Sequence, residues 1–280
     1  MINVLYCGND KVFDGMLTSV LSILKRTTTK EPFTFYVYTM DITRLKPEYT
    51  EISDKQIEFF NIVVKKYNND NKVIKIDVTN YYDKEFKNTI NEKTKYSPYS
   101  FLRLLLDKMP IDIERILYLD ADIMFNRDIT LLYNKDLTNY EYGASRDHYG
   151  KFLIHPNYIN SGVMLFNLTK CRETKLFEKA RKIFISKKLL FPDQSAIYKS
   201  TTKKLMLPQK FNDQKFLHKH TVVRHFSKRL FWLPYPHTDN IKQWDVVKVH
   251  KVFKYHQFDD ILSEYLTLKN SYKNSLKNNV

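Results

Sequence analysis

From Ile2 to Val78 the sequence alternates between two hydrophobic periodicities, and that alternation leaves few folds open. Ile2–Cys7 is a short apolar run with β-branched members, closed by Gly8-Asn9-Asp10, and it reads as a buried strand running into a turn. Asp14 then precedes Met16, Leu17, Val20, Leu21, Ile23 and Leu24, an apolar stripe at helical spacing. Lys25-Arg26 fall in its last turn, where cations meet the negative end of the helix dipole. Phe33–Tyr38 has strand character, Ile52–Tyr67 helical character, and Val73–Val78 strand character again. Strand, helix, strand, helix, strand is the βαβ pattern of a parallel sheet with helices on both faces, so the expected fold class is α/β.

The pattern continues with a helix expected over Ser100–Met109, a buried strand over Arg115–Leu119, and helices over Phe177–Ile185 and Gln194–Tyr198. No internal repeat and no Gly/Ser linker divides the chain. We therefore expect one domain over 1–245 and a basic helical extension over 246–280. Ile261, Leu262, Tyr265, Leu266 and Leu268 mark an amphipathic helix in that extension, docked on the domain or on a membrane. No apolar run approaches the roughly 18 residues of a membrane span. The N-terminus lacks the basic opening of a signal peptide. Cys7 and Cys171 are too few for a disulfide framework or a cysteine-based zinc site. These features lead us to expect a soluble, reduced, cytoplasmic protein.

Charge constrains the partners. The chain carries 46 Lys+Arg against 31 Asp+Glu, a formal net charge of +15. Between Lys199 and Trp232 nine Lys or Arg stand against Asp213 alone. Such a stretch could hold a polyanion, a phosphorylated small molecule or an anionic membrane surface; the plain alternative is a solvated face. No recognised nucleic-acid motif is present and the aromatics are spread like core residues, so a nucleic-acid partner is not expected.

The chemistry begins at Tyr118-Leu119-Asp120-Ala121-Asp122. In an extended chain residues i and i+2 point the same way, so the two carboxylates can converge on one cation. They end a buried strand, where open α/β sheets bind ligands. Hard oxygen ligands suit Mg²⁺ or Mn²⁺ bridging a diphosphate. A pair of aspartates capping a strand–loop junction would look the same.

With the hydrophobic tail Ile123, Met124 and Phe125, that segment resembles the metal motif of glycosyltransferase family 8, which includes the lipopolysaccharide galactosyltransferases and glycogenin. Four further segments agree in type and order. Ile2–Asp10 resembles the family's first strand and nucleotide-binding turn. Tyr99-Ser100-Phe101-Leu102-Arg103-Leu104, with Met109-Pro110 and Ile116-Leu117-Tyr118 after it, resembles the helix whose Arg faces the donor. Tyr158-Ile159-Asn160-Ser161-Gly162-Val163 resembles the Asn-Ser-Gly-Val segment, and Phe191-Pro192-Asp193-Gln194 the Asp-Gln segment.

The resemblance implies a GT-A, Rossmann-like mixed sheet flanked by helices. It also implies a retaining enzyme that moves glucose or galactose from a UDP-sugar to a glycan, lipid-linked or protein acceptor. Asp120 and Asp122 would ligate Mn²⁺, with Mg²⁺ as the alternative, and Asp120 with Ala121 would lie near the ribose. Cys7, Gly8, Asn9 and Asp10 would form the nucleotide turn, with Val12 or Phe13 in the place of an aromatic that packs on the base. Arg103 would contact a phosphate or the sugar. Asn160 would bond the transferred sugar, and Ser161-Gly162, read as a turn before a strand over Val163–Phe166, would let the backbone approach it. Asp193 and Gln194 would be the catalytic pair: Asp193 fixing donor hydroxyls, and Gln194, a poor nucleophile, stabilising the oxocarbenium-like centre.

The late segment departs from the family. Members carry His-x-x-Gly-x-x-Lys-Pro-Trp; here His225 follows a buried strand, Lys228 stands where the Gly belongs, and Lys242-Gln243-Trp244 comes later than the pattern places it. His225 is the expected third metal ligand, with His237 behind it, and Lys228 or Lys242 the phosphate cation. Two other readings share some of these features: a nucleotidyltransferase built on the same paired carboxylates, and a non-catalytic polyanion-binding protein.

Overall fold

The structure is a computed structural model and describes residues 1–108 and 112–277. Met109-Pro110, quoted above for the family resemblance, lies outside the described residues, as does the end of the helix expected over Ser100–Met109. The expected βαβαβ opening is present: β1 (Ile2–Cys7), α1 (Phe13–Arg26), β2 (Phe33–Thr39), α2 (Asp54–Lys65) and β3 (Lys72–Asp77). Parallel pairing joins β1 to β2 and β2 to β3, with Val4 opposite Phe35 and Tyr36 opposite Ile74. Further along come β4 (Arg115–Leu119), β5 (Ile123–Phe125), β6 (Tyr142–Arg146), β7 (Ile159–Asn167) and β8 (Lys204–Leu207). The seven-stranded sheet runs β3-β2-β1-β4-β7-β6-β8. It is mixed, because β7 is antiparallel to both β4 and β6.

Alternation along each strand fills two layers. Val4 and Tyr6 of β1, with Leu117 and Leu119 of β4, face a core shared with α1 and α2. Leu5, Ile116 and Tyr118 face the opposite layer, built from the segment Pro98–Lys108 and the helices Leu176–Ser186 and Pro192–Ser200. Pro98–Lys108 is a run of 3₁₀-helix over the stretch where a helix is expected. The tighter winding keeps Phe101, Leu102, Leu104, Leu105 and Leu106 all buried with Arg103 among them.

Two small sheets stand off the main one: β5 pairs with β9 (Val223–His225), and a hairpin joins β10 (Arg229–Phe231) to β11 (His237–Asp239). The C-terminal helix, Asp259–Lys277, docks on the domain. Its apolar face, Ile261, Leu262, Tyr265 and Leu268, belongs to the same core cluster as α1. Lys25–Glu264, Arg26–Asp260 and Lys269–Asp14 ion pairs flank that contact at 2.6–2.8 Å. The apolar stripe is therefore taken up by the protein itself, except for Leu266, which is exposed. Arg224, counted above in the basic stretch, is 1% exposed and stacks over Phe226, with its guanidinium 4.9 Å from the ring centroid. Among the described residues no helix is long and apolar enough to cross a membrane.

Ile261, on the inner face of the C-terminal helix, is fully buried. Ile261→Ala is expected to lower stability by about 2–5 kcal/mol, the range for truncating a core aliphatic. Urea unfolding followed by circular dichroism would show this as an earlier single transition; an unmoved midpoint would mean that the helix is not part of the cooperative core.

Candidate active site

β1 and β4 are parallel neighbours, so their C-terminal ends open into one cleft. Its volume is about 560 Å³, and Cys7, Gly8, Asn9, Val12, Arg103, Asp120, Ala121, Asp122 and Lys242 line it with Tyr49, Tyr99 and Trp244. Lys11, Lys46 and Lys95 also reach it, so its wall is cationic around an acidic centre.

The centre forms at a turn. β4 ends at Leu119, and Asp120-Ala121-Asp122 bend into β5 rather than continuing the strand. Convergence of the two carboxylates thus comes from the turn and not from strand alternation. β5 pairs antiparallel with β9 with Ile123 opposite His225, which brings the imidazole over the aspartates. His225 Nε2 lies 3.1 Å from Asp122 Oδ1 and 3.9 Å from Asp120 Oδ2. One ligand atom from each of Asp120, Asp122 and His225 lies within 4.8 Å of the other two. Two carboxylate oxygens and an imidazole nitrogen suit a divalent cation of the Mn²⁺ or Mg²⁺ class.

Cations from elsewhere balance the aspartates. Arg103, 2% exposed, donates through one terminal nitrogen to Asp120 Oδ1 at 3.0 Å and through the other to Ser161 O, and its Nε pairs with Asp193 Oδ2 at 3.1 Å. Its guanidinium lies over the Tyr118 ring, 4.2 Å from the centroid, and the Tyr118 hydroxyl donates to Asp120 Oδ1 at 2.6 Å. Burial opposes the Arg103 charge, but Tyr118, Asp120 and Asp193 around it hold its pKa above the ordinary value. Lys242 Nζ donates to Asp122 Oδ2 and, at 3.1 Å, to Phe226 O. Burial pushes the Asp122 carboxyl upward, yet Lys242 and His225 hold it well below the usual carboxylate range. Gln243, fully buried, fixes the approach of Lys242 by donating to Ala121 O at 2.8 Å.

Below the cleft, β7 carries Asn160, Ser161 and Gly162 inside the strand, not in a turn ahead of it. Asp120 N–H donates to Gly162 O at 2.8 Å. A Cβ on Gly162 would lie 2.4 Å from His225 Cε1 and 2.8 Å from Asp120 Oδ2, so only glycine lets the strand pass this close to the aspartate–histidine cluster. Asn160 spends its amide within the protein, donating to Asp147 Oδ2 at 2.8 Å and accepting from Gly162 N–H at 3.0 Å. Pro192 opens the helix that carries Asp193 and Gln194 in its first turn. Gln194 Oε1 accepts from Ser161 N–H at 2.9 Å and lies 3.2 Å from Ser161 Oγ. Burial raises the Asp193 carboxyl above its usual range against the pull of Arg103.

The remaining expected residues separate. Val12 lines the cleft, whereas Phe13 packs on Phe60 in the core. Asn9 caps the turn, accepting from Lys11 N–H. Asp10 is exposed and points away, accepting from Ser53 N–H at 3.1 Å. Lys228 is exposed outside the cleft, which Lys242 lines. His237 sits on the hairpin, stacked on Phe231. Burial pushes the Cys7 thiol up. Tyr118 and Gln243 lie inside the motifs quoted for Asp120 and Lys242 but were given no role of their own, and Asp147 and Asn212 lie in no quoted motif.

Residues 3–212 match the profile of Glycosyl transferase family 8. A Haemophilus influenzae (strain Rd) protein named as a glycosyltransferase is 31% identical over 146 residues, 45% of this chain and 44% of its own length. Glucoside xylosyltransferase 2 of Mus musculus is 30% identical over 189 residues, 61% of this chain and 38% of its own. The chain thus spans less than half the length of these curated relatives. Among solved structures, the galactosyltransferase LgtC in complex with donor and acceptor sugar analogs superposes with a TM-score of 0.68 at 17% identity, over 96% of each chain. At that identity the likeness is one of fold, and the fold is the GT-A type. The match over residues 3–212 covers most of the chain, which belongs to glycosyltransferase family 8.

Gly162→Ala should leave the fold intact by circular dichroism yet push His225 and Asp120 apart. Mn²⁺ affinity, read by electron paramagnetic resonance of the free ion, is expected to fall at least about tenfold, as when a ligand's support is lost. Wild-type affinity in that variant would show that the cluster does not hold the metal.

Proposed function

From its place in glycosyltransferase family 8, we propose that the protein is a retaining hexosyltransferase. It would move glucose or galactose from a UDP-sugar to a glycan, lipid-linked or protein acceptor. Mn²⁺, with Mg²⁺ as the alternative, would be held by Asp120, Asp122 and His225. The observation that carries this reading is the convergence of those three groups with Arg103 and Lys242 in one cationic cleft of about 560 Å³.

The chemistry follows from charge. As the anomeric C–O bond breaks, its electron pair passes to a phosphate oxygen of the leaving nucleotide. A bound divalent cation supplies charge neutralisation for that diphosphate. Lys242 and Arg103 stand ready on the same wall, pre-oriented by Gln243 and Tyr118, so little reorganisation is needed as charge develops. The turn Gly8-Asn9 and the side chain of Val12 would meet the nucleoside. Asp193, anchored by Arg103, would fix the donor hydroxyls. Gln194 is held through its carbonyl oxygen by Ser161, which supports a positioning part in stabilising the oxocarbenium-like centre over a nucleophilic one.

A second pocket of about 290 Å³ is lined by Arg146, His148, Lys151, Gln209 and Gln214 and would suit an acceptor bearing an anionic group. The hairpin tip exposes Trp232 (69%), Leu233 (83%) and Tyr235 (67%), and Lys228 is exposed at the hairpin's base. That pairing supports a cytoplasmic protein working at the inner face of an anionic membrane.

The test is release of UDP from UDP-glucose and UDP-galactose with Mn²⁺ and with chelator, and the anomeric configuration of the transferred sugar by NMR. We expect metal-dependent release with retention, reduced about a hundredfold or more by Asp193→Asn. No UDP release from any UDP-hexose, with turnover of another nucleotide instead, would favour the nucleotidyltransferase reading.

A further inference from the structure

A chain of hydrogen bonds runs from Asp147 through two amides to His225, and its direction can be worked out from its fixed end. Asp147 Oδ1 accepts from the backbone N–H of Tyr149 at 3.0 Å and of Gly150 at 2.6 Å. Its Oδ2 accepts from Asn160 Nδ2 at 2.8 Å. Asn160 Oδ1 accepts from the backbone N–H of Gly162 at 3.0 Å. A carboxylate only accepts and a peptide N–H only donates, so the Asn160 amide cannot be turned over. Asn160 Oδ1 is also 2.8 Å from the Asn212 amide. Since that oxygen cannot donate, Asn212 must offer Nδ2 to it and turn Oδ1 toward His225. Asn212 Oδ1 lies 3.0 Å from His225 Nδ1. A carbonyl oxygen cannot donate either, so Nδ1 must carry the proton. Nε2 is then the nitrogen left facing Asp122 and Asp120.

We propose that Asn212 is a positioning residue that sets the tautomer and ring orientation of His225, so that Nε2 can give its lone pair to the divalent cation. The inference rests on the metal assignment proposed above. Asn212 is fully buried and His225 is 3% exposed, so water is not at hand to replace either partner. Without Asn212, the neutral ring gains most by placing its proton on Nε2 and donating to Asp122 Oδ1, which blocks the ligating nitrogen. Loss of such an outer partner typically weakens metal binding by about 10–100-fold.

The experiment uses the full chain labelled with ¹⁵N-histidine, metal-free, in long-range ¹H–¹⁵N correlation spectra, with the His225 signals assigned by their loss in His225→Gln. The wild type should show a protonated Nδ1, and Asn212→Ala a bare Nδ1 with the proton on Nε2. Mn²⁺ alone, without nucleotide, should bind Asn212→Ala about 10–100-fold more weakly than the wild type. Asn212→Asp keeps an acceptor opposite Nδ1 but sets a second acceptor against Asn160 Oδ1, so it should retain the protonated Nδ1, the readout that a merely structural role would not move. A bare Nδ1 in the wild type would overturn the inference, as would a folded Asn212→Ala protein that binds Mn²⁺ like the wild type. If Asn212→Ala does not fold, the wild-type spectrum and Asn212→Asp decide the matter. A wild type that binds no Mn²⁺ would count against the function proposed above, while the metal-free spectrum still decides this inference.

Discussion

Two carboxylates separated by one residue cannot share a half-dry cleft unless positive groups meet them, and most of this molecule's long-range architecture serves that requirement. Asp120 is met by Arg103 and Asp122 by Lys242, with His225 between the two aspartates. Each partner arrives from a different part of the chain: the 3₁₀ segment over Pro98–Lys108, the stretch after the β10–β11 hairpin, and the end of β9. Burying a charge alone costs several kcal/mol, so the geometry has to bring these groups together as one set. Arg103 extends the set by binding Asp193 as well, which ties the acidic turn to the helix that carries Gln194.

The strand β7 supports this assembly from beneath. Its pairing with β4 lays Gly162 against Asp120 and His225, and its neighbours Asn160 and Ser161 engage Asp147 and Gln194. One short stretch thereby contacts the acidic turn, the histidine and the Asp-Gln helix at once. Its polar side chains are held in place by those protein partners.

Much of the fold was legible because local periodicity reports burial. The opening β1-α1-β2-α2-β3 order, the strand ending at Leu119 and the helices after Phe177 and Pro192 follow from apolar spacing alone. Strand direction did not, because an antiparallel and a parallel buried strand look the same in sequence; the mixed character of the sheet came from the family resemblance. The extent of β7 was missed because glycine and asparagine within Ile159–Asn167 read as turn formers, whereas pairing with β4 and β6 keeps them extended. Of the two lysines weighed for the phosphate, only geometry separates Lys242 from Lys228. Asn212 and the Oδ2 side of Asp147 give no local signal, since their partners Asn160 and His225 lie on other elements.

The most direct measurement is calorimetric titration of UDP into the wild type and into Asp122→Asn, each with and without Mn²⁺. The account predicts binding that needs Mn²⁺ in the wild type and is lost in the variant, whose side chain can no longer carry the charge that Lys242 and His225 face. UDP binding that is indifferent to both the metal and Asp122, or no binding in any state, would contradict it.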